Sequence, residues 1–377
     1  MIDPNDFLTA LKRAGVDFAC GVPDSLLKEF LLALQSSNLI EHHIVANEGA
    51  AVALAAGHQM ASGKLPLIYM QNSGLGNAVS PLMSLAHKRV YAIPMLLMIG
   101  HRGEAGKHDE PQHLAMGEVT VPILADMGID IFSLNQDSDF AALVQEAAAM
   151  AREQSGPVAI VVSSGTFVNV SVSSSDSKSQ PESKLTLTRE LVLNTVLDSL
   201  AGDEVICSTT GFTSRELNEL RRERGTTNAA DFFNVGAMGH VAQIALGVAL
   251  ARPGKRVIAI DGDGSLIMHM GSMAVGGCSG ATNFFHLLIN NGMHESVGGQ
   301  PTVGLRTDFC AVARACNFKQ VIAADNIETL IECLKAAGQP GPTFMEVKVR
   351  PGAKEKLGRP SDNLRGARDA FSAHIQS

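Results

Sequence analysis

Arg256-Val257-Ile258-Ala259-Ile260-Asp261-Gly262-Asp263-Gly264-Ser265 begins as an apolar, partly β-branched run and closes in a glycine-rich turn. An apolar run without alternation reads as a strand buried on both faces, and such strands belong to parallel sheets covered by helices. The turn falls at the strand's carboxyl end, where ligands gather in open α/β sheets. Two glycines around an aspartate permit a sharp turn and let main-chain N–H groups approach an anion, which leaves the carboxylate free for a hard cation. Alone, a Gly-Asp-Gly is also an ordinary turn. Its weight comes from a second expected strand, 284–289, which ends in Asn290-Asn291-Gly292 with 25 residues between Gly264 and Asn290. An adjacent strand would bring an asparagine amide oxygen beside Asp263.

The same rhythm runs outward in both directions. In the first half, strands are expected at 18–22, 66–70, 93–99 and 158–163, with helices at 26–34 and 49–60. In the second half, strands at 204–208, 257–260, 284–289 and 343–349 are separated by helices including 241–251. Strands alternating with helices of this length imply parallel sheets covered on both faces. One break interrupts the pattern: VSSSDSKSQPESK, 172–184, is Ser-rich, polar and aperiodic, as a flexible linker is. The fold class is therefore read as α/β, with two doubly wound parallel-sheet domains, 1–171 and 185–377, a division that 377 residues allow.

Composition narrows the function classes. Hydrophobic residues make up 45% and charged residues 18% of the chain, enough apolar material for two cores and against disorder. With a net charge of −8, no Trp, two Tyr and no basic cluster interleaved with aromatics, nucleic acid is not an expected partner. Apolar runs such as 92–99 fall far short of the ~20 residues of a membrane span, so no membrane association is expected. The opening MIDPNDFLTALKRAG is amphipathic, with acidic Asp3-Pro4-Asn5-Asp6 starting a helix, so a cytoplasmic protein without a signal peptide is expected. Cys20, Cys207, Cys278, Cys310, Cys316 and Cys333 form no CxxC pair and are expected as buried free thiols.

Strand–GDG followed by strand–NNG resembles the signature of the thiamine diphosphate-dependent decarboxylases, which is GDG, a spacer of about this length, and NN. The resemblance implies a carbon–carbon lyase acting on a small 2-oxo acid, with thiamine diphosphate and Mg²⁺ as cofactors. It implies a pyrimidine-binding domain at 1–171 and a diphosphate-binding domain at 185–377, without the middle domain of longer members. Carried onto this chain, Asp263, a side-chain oxygen of Asn291 and the main-chain carbonyl of Met293 would hold Mg²⁺, with Asn290 the alternative to Asn291. Gly262, Gly264 and Ser265 would border the diphosphate.

Ala46-Asn47-Glu48-Gly49-Ala50-Ala51 lies between a short expected strand, 43–45, and an Ala-rich helix. Glu48 can be read as a helix-start acid favoured by the macrodipole. Its apolar neighbours also suit it to hydrogen-bond a ring nitrogen, and in the family a glutamate at this place activates the cofactor's aminopyrimidine. The resemblance further implies that Met238, in Asn234-Val235-Gly236-Ala237-Met238-Gly239-His240, props the cofactor in its bent form. Ser73 and Gly74, in Gln71-Asn72-Ser73-Gly74-Leu75-Gly76-Asn77, match the loop beside the aminopyrimidine. It also implies that Glu48 and Asp263 meet across a subunit interface, so at least a homodimer, or a tetramer, is expected.

Three polar segments follow expected strand ends. Gly21-Val22-Pro23-Asp24-Ser25 matches the family's place for a catalytic Asp or Ser, and both Asp24 and Ser25 are candidates beside their reading as a helix cap. The run from Gly100-His101-Arg102-Gly103-Glu104 through Lys107-His108-Asp109-Glu110-Pro111-Gln112-His113 joins cations, acids and histidines on a Gly-rich loop, as a mobile anion-reading lid would. Its spacing fits neither HExxH nor a structural zinc site. Arg102 and Lys107 are expected at the substrate's anion, and His113 among the catalytic groups. In Met293-His294-Glu295-Ser296-Val297-Gly298-Gly299-Gln300-Pro301-Thr302, His294 is expected as proton donor or anion ligand, and Gln300 as a substrate contact. GxRGExGxxDEPQH, NVGxMGHxxQIALG and NNGxHxSVGGQPT together are similar to the family's phosphonate-handling branch, which implies decarboxylation of 3-phosphonopyruvate to phosphonoacetaldehyde in phosphonate biosynthesis. The sulfonate analogue is the runner-up, a pyruvate-consuming carboligase the third reading, and a non-catalytic thiamine diphosphate-binding subunit the alternative from a different class. His101 stands where the family carries an aromatic.

Overall fold

The computed structural model describes residues 1–169, 185–226, 229–335, 341–354, 357–361 and 363–376. The chain forms two compact units, Met1–Gln180 and Pro181–Ser377. The expected linker at 172–184 lies outside the described residues.

In the first unit, the helix Pro4–Arg13 starts where the chemistry says it should. The Asp3 side chain accepts a hydrogen bond from the Asn5 N–H, and Pro4 occupies the first turn. Among its described residues six strands follow: β1 (Val16–Gly21), β2 (Glu41–Ile44), β3 (Leu65–Gln71), β4 (Met95–Gly100), β5 (Asp130–Leu134) and β6 (Pro157–Val162). They form one sheet in the order β2-β1-β3-β4-β6-β5, and every pairing is parallel. Phe7, Leu8, Phe30 and Leu31 fill the core on one face, and Ala51, Val52, Ala55 and Leu82 fill the other. Burial on both faces explains why β4 and β6 are continuous apolar runs. The helix expected at 26–34 is instead Lys28–Ser36, because Leu26 and Leu27 are still in a turn.

The second unit repeats the plan. Its strands are β7 (Val205–Ser208), β8 (Asp231–Phe233), β9 (Val257–Gly262), β10 (Phe284–Asn290), β11 (Met293–His294), β12 (Gln300–Pro301), β13 (Gln320–Ala324) and β14 (Thr343–Lys348). The main sheet runs β13-β14-β10-β9-β7-β8, all parallel, while β11 and β12 pair as a small antiparallel ribbon. Leu288 pairs with Asp261 and Ile289 with Gly262, so one residue further on Asp263, just past the end of β9, stands level with Asn290, the last residue of β10. That register joins the two motifs.

Two expectations change in detail. All six cysteines are free, but Cys20, Cys207 and Cys310 alone are fully buried; Cys316 and Cys333 are half-buried and Cys278 is exposed. No helix among the described residues is long and apolar enough to cross a membrane.

Candidate active site

The carboxyl ends of four strands build a cavity of about 80 Å³ in the second unit. Thr209 and Thr210 directly follow β7, Met238 lies beyond β8, Asp263 directly follows β9 and Asn291 directly follows β10. Asp263 is 2% exposed. Burial pushes its carboxyl up to about 6, against hydrogen bonds from the Thr302 hydroxyl and the Asn291 main-chain N–H, the latter 3.3 Å long. The Ser265 hydroxyl accepts from Thr209 at 2.9 Å and from the Gly239 N–H at 3.1 Å, so it ties the turn bearing Met238 to the GDG turn.

The two asparagines divide their work. Asn290 turns its amide into the core, donating to Glu346 at 2.8 Å and to the Gly304 carbonyl at 3.0 Å, while its oxygen accepts from Gly292 at 3.1 Å. Asn291 lines the cavity with Asp263 and with Met293, whose N–H donates to the Asn291 amide oxygen at 3.0 Å. His294 also lines it, directly over the GDG turn: a Cβ on Gly264 would lie 2.7 Å from the His294 Cε1, so this approach requires glycine. Burial holds the His294 imidazole down to about 4. Gln300 stands opposite His294 in the β11–β12 ribbon, 1% exposed, with neither amide atom hydrogen-bonded.

In the first unit, Glu48 opens the helix Glu48–Ser62, capped by the Asn47 side chain, which accepts from the Ala50 N–H at 2.9 Å. Its carboxylate is 5% exposed and accepts from the Asn77 amide at 2.8 Å. A Cβ on Gly74 would overlap the other oxygen, so the Asn72–Gly74 turn after β3 lies flat against Glu48. Ser73 is exposed and accepts from Gln71 at 2.7 Å.

Asp24 follows β1 and is 1% exposed; burial pushes its carboxyl up to about 6, against main-chain hydrogen bonds and the Arg102 charge. One of its oxygens accepts from the Leu26 N–H at 3.2 Å, and the other has no partner. Ser25 accepts from Arg102 at 2.9 Å. The expected anion-reading cations are already paired. Arg102 donates to Asp109 at 2.8 Å, and Asp109 also accepts from the Gly103 N–H at 2.7 Å. Burial works against the Asp109 carboxylate, yet these bonds hold it down to about 2. Lys107 pairs with Glu104 at 2.9 Å. His113, on the helix Pro111–Asp126, is held down to about 4 by burial and the Arg102 charge. His101 meets the Gly117 carbonyl at 3.0 Å, a polar anchor in place of an aromatic one. Ser25, Arg102 and Lys107 border a cavity of about 350 Å³ that Lys28 and His108 also line.

Sequence reading missed four partners: Asn77 on Glu48, Asp109 on Arg102, Thr302 on Asp263 and Glu295 on Asn291. All four lie within the quoted loops, but their pairings depend on how those loops fold back.

The donor set in the second unit can be tested against a cation. Among the described residues no three His, Cys, Asp or Glu gather into a metal site. A cation beside Asp263 would take one carboxylate from the protein, with neutral amide and main-chain oxygens making up the rest. That set suits Mg²⁺ shared with phosphate oxygens, since Mg²⁺ commonly binds through one or two carboxylates plus the phosphates of its ligand. The hydroxyls of Thr209, Thr210 and Ser265 furnish further neutral donors, so the residues fit such a group.

Residues 5–123 match the family model described as "Thiamine pyrophosphate enzyme, N-terminal TPP binding domain", and residues 209–347 match "Thiamine pyrophosphate enzyme, C-terminal TPP binding domain". Phosphonopyruvate decarboxylases of Streptomyces viridochromogenes and Streptomyces hygroscopicus are each 35% identical over 373 residues, spanning 96% of this chain and 91% and 90% of their own. A sulfopyruvate decarboxylase of Methanosarcina acetivorans is 27% identical over 371 residues, spanning 93% of this chain and 92% of its own.

Proposed function

We propose that this chain, which belongs to the thiamine diphosphate-dependent decarboxylase family, removes CO₂ from 3-phosphonopyruvate to give phosphonoacetaldehyde, with Mg²⁺ anchoring the cofactor. The observation that carries the reading is the convergence of Asp263, Asn291 and Met293 with Met238 and His294 on one cavity. Identity of 35% to phosphonopyruvate decarboxylases, against 27% to the sulfopyruvate enzyme, supports the phosphonate.

The Asp263 carboxylate, the Asn291 amide oxygen and the Met293 carbonyl would hold Mg²⁺. Gly262, Gly264 and Ser265 would border the diphosphate, with Met238 against the body of the cofactor. Glu48 would hold a proton at the aminopyrimidine ring nitrogen, oriented by Asn77 and by the Ser73 and Gly74 turn. Bound thiamine diphosphate supplies the nucleophilic carbon and the electron sink that CO₂ loss requires. The keto carbon then takes a proton and leaves as the aldehyde. Among Asp24, His113 and His294, Asp24 is the best general acid, because its carboxyl at about 6 lies nearest a neutral operating pH. Ser25 would help by holding Arg102 in place.

The phosphonate dianion falls to Arg102 and Lys107, with His294 and Gln300 as neutral hydrogen-bonding groups. Since both cations are already paired, the substrate would compete with Asp109 and Glu104 for them. Arg102 can meet the phosphonate first through the nitrogen that now touches Ser25. Such an enzyme would serve phosphonate biosynthesis, where irreversible CO₂ loss draws an unfavourable phosphonate-forming step forward. The pyrimidine side (1–171) and the diphosphate side (185–377) would meet across two chains, with a homodimer as the minimum assembly.

The likeness to a sulfopyruvate decarboxylase along almost the whole chain favours that second substrate next. Purified protein given phosphonopyruvate, sulfopyruvate and pyruvate side by side is expected to release CO₂ fastest from the first. A preference for sulfopyruvate overturns the substrate assignment.

A further inference from the structure

Asn291 has an amide whose two ends differ in chemistry: the oxygen can bind a hard cation and the nitrogen cannot. Which end faces the cavity is set by what holds the other. Here the Asn291 nitrogen donates to Glu295 at 2.9 Å, while the oxygen accepts from the Met293 N–H at 3.0 Å. Glu295 lies in the turn Glu295–Val297, directly after β11, and is ion-paired to Arg189 at 2.8 Å through the same oxygen that Asn291 uses. Its second oxygen accepts from the Gly352 N–H.

Arg189 cannot drift, because it is also clamped. It donates to both oxygens of Glu216, at 2.8 and 3.1 Å, and to the Gly352 carbonyl at 3.0 Å, while stacking over Phe212 at 5.6 Å. The ion-paired Glu295 carboxylate only accepts, so it admits the nitrogen of Asn291 and refuses the oxygen.

We propose that Glu295, locked by Arg189, is a positioning residue that orients the Asn291 amide so its oxygen faces Asp263 and the Mg²⁺ site. Both residues border the same cavity as Asn291. Their action runs through the ligand they aim, as partners behind metal ligands commonly do.

The inference rests on the reading of Asp263 and Asn291 as metal ligands. Calorimetric titration of the full chain with thiamine diphosphate at stepped Mg²⁺ concentrations gives the apparent Kd for Mg²⁺. Glu295→Gln can offer Asn291 a donor and let its amide turn over, and is expected to raise that Kd roughly ten- to hundredfold. Glu216→Gln loosens Arg189 one step further from Asn291, and should raise that Kd by less than Glu295→Gln does, even where the melting temperature drops. Equal rises in both variants, or no rise in Glu295→Gln, overturn the positioning role.

A second measurement holds if Glu295→Gln folds poorly alone. Asn291→Asp sets two carboxylates against each other, and adding Glu295→Gln replaces that repulsion with a donor. The double variant is expected to bind Mg²⁺ more tightly than Asn291→Asp; weaker binding sinks the proposal. Wild-type protein that takes up thiamine diphosphate equally with and without Mg²⁺ removes the metal site itself, and the inference with it.

Discussion

Asp24 and Asp263 are both pushed up to about 6 by burial, but their surroundings differ. Asp263 receives a hydroxyl and a main-chain N–H, whereas one Asp24 oxygen has no partner at all. The folded chain therefore holds a proton on Asp24 that the unfolded chain, at an ordinary 3.8, has already lost. Stability from this group is fully present below about pH 4 and is lost as pH rises through 6. Asp24→Asn should flatten the pH dependence of unfolding free energy by on the order of 3 kcal/mol between those limits. Urea melts of the metal-free protein across that range check it, and a slope parallel to wild type contradicts it.

Glu48→Gln keeps the volume and the Asn77 contact but cannot exchange a proton with the cofactor ring. It should bind thiamine diphosphate with near wild-type calorimetric affinity and lose on the order of 10²- to 10⁴-fold in kcat; wild-type turnover removes Glu48 from the mechanism. Residue types were legible where a motif names them: Glu48, Asp263 and Asn291 stand at motif positions. Arg102 was legible as a cation but not as a paired one, because Asp109 meets it only once the loop has folded on itself.

Among the elements, Asn72–Gly74 shows how backbone shape serves a side chain. Gly74 has an ordinary backbone conformation, φ −74°, so Gly74→Ala introduces no backbone strain; it drives a methyl into Glu48. A displacement of about 1 Å in a positioned group can cost on the order of 10²-fold in rate. Gly74→Ala is thus expected to lose about that much in kcat/KM while its melting temperature stays near wild type. A variant that unfolds instead would mean the turn serves packing first.

Legibility of the strands followed burial. β4, β6, β9 and β10 are continuous apolar runs buried along nearly all their length, and they are visible in the sequence within a residue or two. β5 and β13 lie at or near sheet edges with half-exposed faces, and β8 has three residues, so none leaves a clear apolar run. The helix Val241–Ala251 has the expected bounds, since its Ala-rich apolar run stops at Arg252 and Pro253.

For the whole molecule, each unit carries its own parallel sheet, and each gathers its candidate groups at the carboxyl edge. On the proposed reading neither set would suffice alone: without Asp263, Glu48 would have no anchored cofactor to activate, and without Glu48, Asp263 would hold a cofactor that is not switched on. The proposed site would draw Glu48 from one copy of the chain and Asp263 from its partner. Two inactive variants, Glu48→Gln and Asp263→Ala, provide the direct test when mixed, dissociated and reassociated. If each site takes Glu48 from one chain and Asp263 from its partner, every mixed dimer holds one intact site. Random pairing in a symmetric dimer then restores roughly a quarter of wild-type CO₂ release. Activity that stays at the sum of the two separate variants contradicts the shared site.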